Sequence, residues 1–158
     1  MNVNNNFENT KAMDLTKTTP RSVREKLLGV VQLARTTDKA KALAHGNIGE
    51  YDYPSSMDKG LFEFLDIKGS DFLDFVKVAK NDEEIEGYAK GFVGKKSSDE
   101  IIAFNRRWMT SVPKGESLEH FTAMRTRIAP DRTDVTTWPD LLDLDEGRTV
   151  AQREIAKL

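Results

Sequence analysis

After Pro20 the apolar residues recur three and four positions apart, in short stretches closed by Gly, Pro or helix-capping residues. That period belongs to one face of an α-helix and not to the alternation of a half-buried strand. No run of alternating apolar and polar residues is long enough to build a sheet. The expectation is an all-α fold: one compact, bundle-like domain of about seven helices.

The spacing predicts a first helix from just after Pro20 to about Ala44, carrying Val23, Leu27, Leu28, Val30, Val31 and Ala34. Gly29 lies inside it, where a glycine costs roughly 1 kcal/mol against Ala, and close packing of another element would explain it. Gly46 is a natural stop. Residues 46–56 read as the one clear non-helical connection. A short helix over 57–67 follows, then one capped by Ser70, and one opening at Asn81 or Asp82 and ending near Gly94. Ser97 and Glu100 have capping-box spacing at the start of the next. Helices over 117–128 and from Thr137-Trp138-Pro139-Asp140 to a stop at Gly147 complete the set. Residues 1–14, Asn-rich and polar, are expected to be a flexible arm. Residues 15–148 form the helical domain, and 149–158 a polar tail.

Composition narrows the function classes. The 158 residues carry 24 Lys+Arg against 26 Asp+Glu, a formal net charge of -2. A nucleic-acid binder needs a basic surplus, so no nucleic-acid partner is expected. The chain has no cysteine, which removes disulfides, thiolate metal sites and cysteine nucleophiles. Its two histidines, His45 and His120, sit in no ligand motif, and no glycine-rich nucleotide loop is present. No metal and no cofactor is expected. Neither a secretory signal nor an apolar stretch of about 20 residues occurs, so the default is a soluble cytoplasmic protein without a membrane partner. The oligomeric state stays open.

The stretch Ala34-Arg35-Thr36-Thr37-Asp38-Lys39-Ala40-Lys41-Ala42 carries the strongest chemical signal. At ~100° per residue, Asp38 falls within about 20° of Leu27, in the middle of the apolar stripe. An inward carboxylate costs several kcal/mol unless charges and hydrogen bonds compensate it. Two readings stay open: a structural ion pair, with Arg35 or a more distant cation, or a polar pocket in the core. In the pocket reading, Asp38 and Tyr51 are the acid–base candidates and Lys39 a desolvated base or amine. Arg35 would then hold an anionic group or stabilise developing charge. His45, Glu50, Tyr53 and Asp58 lie where the chain returns past the end of the first helix, and join the set as binding residues. Asn105, on the apolar side of its own helix, is either a hydrogen-bonder to a loop or a pocket wall. The acidic run Asp143 to Glu146 lacks the spacing of a calcium loop and reads as a helix end. The first expectation for function is a small metal-independent enzyme acting on a small polar or anionic molecule near Asp38. The alternative is a binding or regulatory module whose charged cluster is structural.

Several of these stretches together are similar to domain of unknown function family 5069. They are Leu15-Thr16-Lys17, Pro20-Arg21-Ser22, Arg35-x-x-Asp38-Lys39-Ala40-Lys41-Ala42, Gly49-Glu50-Tyr51-x-Tyr53 with Asp58, Phe104-Asn105, and Trp138-x-Asp140-Leu141-Leu142-Asp143-Leu144-Asp145-Glu146-Gly147-Arg148. The resemblance spans about residues 14–148. It implies a small bacterial intracellular protein and brings no mechanism with it.

Overall fold

The structure, a computed structural model, describes residues 13–153. Most of the expected flexible arm, residues 1–12, and the last part of the tail, residues 154–158, lie outside the described residues.

Among the described residues there are seven α-helices and no strand. They are α1 (Leu33–Ala44), α2 (Ser56–Leu65), α3 (Gly69–Val78), α4 (Asp82–Val93), α5 (Ser98–Met109), α6 (Glu116–Ile128) and α7 (Trp138–Asp145). Local chemistry sets several starts. Ser55 and Asp58 close a capping box at α2, Ser97 and Glu100 close the expected one at α5, and Asn81 Oδ1 accepts from Glu84 N at α4. Each satisfies backbone N–H groups that the helix itself leaves free. Ser70 is not a cap: α3 starts two residues earlier than a Ser70 cap would place it, at Gly69 after Lys68, where Gly69 lies so close to the Phe62 ring that a Cβ would stand 3.1 Å from it.

The first helix corrects the sequence reading. It begins at Leu33, not after Pro20. Residues 27–30 form a tight turn with two backbone bonds, Leu27 N to Val30 O (3.1 Å) and Val30 N to Leu27 O (3.0 Å). Leu28 (φ 54°), Gly29 (φ 79°) and Gln32 (φ 70°) are left-handed, which an α-helix forbids. Gly29 is there for that conformation and not for close packing, since nothing stands within 4 Å of where its Cβ would be. The apolar spacing misled because Val23, Val30 and Val31 are all buried, carried inward by turns.

Ten consecutive residues of α1, Leu33 to Ala42, are buried. The helix therefore runs through the molecule with neighbours on every side. Its apolar side joins the main core with Leu61, Phe62, Phe72, Ile85 and Phe104. Stacked pairs Phe75–Tyr88 (4.0 Å) and Phe64–Phe104 (4.3 Å) extend that core. A smaller cluster, Phe121, Val135 and Leu141 with Trp138 against it, holds α6 to α7. Past α7, residues 149–153 are irregular, and Arg153 binds Asp140 and Asp134. Among the described residues no helix is long and apolar enough to cross a membrane.

Candidate functional site

Because α1 is buried all round, its polar residues must be met by partners, and they are met on two different faces. On one, Asp38, 1% exposed, accepts from Arg21: backbone N to Oδ2 (2.8 Å), Nε to Oδ2 (3.1 Å) and Nη2 to Oδ1 (3.0 Å). The distant cation is thus Arg21, not Arg35. Lys41 pairs with Asp82 on the same side (2.9 Å), and together these residues border a pocket of about 530 Å³.

On the other face, Arg35 grips Glu146 through both guanidinium ends, 2.7 Å each. Tyr51 lies under the Arg35 guanidinium, 5.6 Å from ring centroid to Cζ, and donates its hydroxyl to Glu146 Oε2 (3.0 Å). Arg148 adds a second cation to Glu146. Burial works to raise the Glu146 carboxyl, but Arg35, Arg148 and Tyr51 outweigh it and hold it below its ordinary range. Burial, with Glu146 beside it, pushes the Tyr51 phenol up to about 12.

Lys39 spends its three N–H donors on Asp58 Oδ2, Asp52 O (3.0 Å) and Ser55 Oγ (3.2 Å). Asp58 accepts in turn from Lys39, Thr36, Gln32 Nε2 (2.8 Å) and Ser55 N (2.8 Å). Burial alone would raise its carboxyl, and these donors reverse that to a net lowering. Burial lowers the Lys39 ammonium more than Asp58 raises it.

Arg35, Lys39, Tyr51 and Glu146 border one open groove of about 1210 Å³. The N-terminal loop, the end of α5, α6 and α7 complete it, bringing in Trp108, His120 and Trp138. Gln32 also borders it. That residue is 1% exposed, and its side-chain carbonyl oxygen, Oε1, is buried with no hydrogen-bond partner.

Of the residues expected to act together, the structure gathers Arg35, Lys39, Glu50 and Tyr51 at this groove, while Asp38 faces the other pocket. Asp58 is fully buried and touches the site through Lys39, Gln32 and Ser55. Tyr53 donates to Gly69 O (2.8 Å) with its ring edge-on to Phe62. His45 is exposed at the end of α1, with Nδ1 2.8 Å from Lys41 O. Asn105 is committed to the turn before α1: Oδ1 accepts from Val31 N (3.0 Å) and Nδ2 donates to Gly29 O (2.9 Å).

Sequence reasoning missed Arg21, Gln32 and Glu146. Had residues 27–32 been helical, Gln32 would lie about 140° from Leu27, off the apolar stripe. Glu146 was legible as acidic but not as a partner, since 111 residues separate it from Arg35. Arg24, next to the Pro20-Arg21-Ser22 motif, meets Asp140 and Asp143, and Arg148 meets Asp143. Among the described residues no group of three or more His, Cys, Asp or Glu is placed to hold a metal.

Fold and site together define an all-α domain built round a buried charged helix, its cations already matched by carboxylates where they border an open groove. The chain belongs to the family described as Domain of unknown function (DUF5069), whose model matches residues 17–148. No curated protein gives a significant match to it.

Proposed function

We propose that the groove beside Arg35, Lys39 and Tyr51 is the binding site for a small polar molecule, in a cytoplasmic protein with no nucleic-acid partner. One observation carries the reading. Gln32 borders the groove, and its side-chain oxygen Oε1 is a buried acceptor with no donor among the described residues. Such an atom costs about 1–3 kcal/mol, a cost that a ligand N–H or O–H offsets. Gln32 also holds a left-handed backbone (φ 70°), a conformation tolerated where the surroundings impose it, often at ligand sites. Around it the buried pairs Arg35–Glu146 and Lys39–Asp58 form a wall with few free torsions.

The two tryptophans of the chain, Trp108 and Trp138, both border the groove. Their indole N–H signals in a nitrogen-15 NMR spectrum are therefore paired reporters. A fragment library of polar small molecules is expected to yield compounds that move both signals saturably. A library in which no compound moves either indole overturns the reading.

The Tyr51–Glu146 hydrogen bond favours a second reading, turnover in the same groove. A phenol raised to about 12 is a proton donor at neutral pH and not a base, so Tyr51 would serve as the acid. Tyr51→Phe separates the two readings. Binding survives in both, and loss of a substrate's conversion is expected only in the second.

A further inference from the structure

We propose that the ligand of this groove is an organic cation carrying N–H donors, of the amidinium or ring-bearing amine class; the inference rests on the groove reading above. Three features of the wall point that way. First, its buried cations are used up. Arg35 already holds a carboxylate at 2.7 Å through both ends of its fork, and Lys39 has no donor left for an anion. Second, the carboxylates of Glu50, Asp52 and Asp145, exposed on the groove's border, make no ion pair among the described residues. Counting every charged residue on the lining, Lys17, Arg35 and Lys39 against Glu50, Asp52, Asp145 and Glu146, the site stays net negative by one. Third, a guanidinium already stands over Tyr51 (5.6 Å) and another over Trp108 (5.9 Å), while among the described residues none stands over Trp138. Trp138 meets Phe121 edge-on (4.9 Å) and His120 at 6.3 Å, and an indole in a groove bordered by acids is a good seat for an organic cation. Gln32 Oε1 supplies the remaining specificity: it can only accept, so the ligand must donate.

Three probes of almost the same shape isolate the charge: benzamidine, benzamide and benzoate. Titrated into the full chain and followed at the two indole signals, benzamidine is expected to bind about tenfold more tightly than benzamide. Benzoate is expected to shift neither signal. Glu50→Gln, Asp52→Asn and Asp145→Asn combined alter exposed side chains only. They should cut the preference for benzamidine to about threefold or less while leaving benzamide unchanged. Benzoate binding as well as or better than benzamidine overturns the cation and leaves the groove standing. So does silence from all three probes when other fragments shift the indoles. If no compound of the wider library shifts them either, the groove reading falls and this inference with it.

Discussion

Asp58 shows what a single side chain can organise. It closes the capping box of α2, neutralises Lys39 on α1, and takes a hydrogen bond from Gln32 and another from Thr36. All four acceptor directions of the carboxylate are filled, which is why it can be 0% exposed. Removing its cation leaves a buried charge uncompensated. Lys39→Met keeps most of the side-chain volume and is expected to cost about 3–5 kcal/mol. Urea unfolding with linear extrapolation measures it, since a change in midpoint at constant slope reports stability alone. A loss under about 1 kcal/mol would mean that the pair is dispensable and that Asp58 is held by its hydrogen bonds.

At the scale of the elements, α7 is attached to α6 through an apolar cluster, and to α1 and the loop before it through charge. Its own apolar cluster is small. It meets the central helix through Glu146 at its C-cap, and the loop before α1 through Asp140 and Asp143, which bind Arg24. Glu146→Gln removes one charge from a pair whose partner Arg35 is 4% exposed. The expected result is a loss of about 3 kcal/mol. It should be concentrated in α7, whose amides should exchange faster while those of α2 and α3 keep their protection. Uniform loss of protection would show instead that α7 and the main core open as one unit. The same interfaces explain what could be read from the sequence. Periodicity located α4, α5 and α6, with side-chain caps at the first two, because those signals lie within a few residues of each other. Helix α1 was half legible. The inward carboxylate of Asp38 was visible from its place on the stripe, but the left-handed turn at Leu28 and Gly29 was not, since buried Val30 and Val31 mimic helical spacing. Its partners Arg21, Asp58 and Glu146 come from three distant segments, and only the tertiary fold brings them in.

Across the whole molecule, acid should undo first what charge holds together. Asp58 and Glu146 both lie below their ordinary values of 3.8 and 4.5 in the folded state. A carboxyl lowered by folding takes up a proton more readily when the chain unfolds. Its stabilising effect is therefore complete above about pH 5 and is lost as pH falls through the lower, folded values. The melting temperature should change little from pH 8 to pH 6 on account of these groups, then drop steeply below about pH 4. The two apolar clusters divide the consequence. The main core encloses Asp58 but also has many apolar contacts and stacked rings, whereas the Phe121 cluster is small and α7, which carries part of it, meets α1 through Glu146. Trp138 packs in the smaller cluster and Trp108 against Phe104 in the larger. During acid titration the Trp138 indole signal is expected to lose its native position at a higher pH than that of Trp108, and Glu146→Gln should widen the gap. Simultaneous disappearance of the two signals in both proteins would show that the small cluster unfolds only with the whole, and that its attachment by charge has no separate energetic weight.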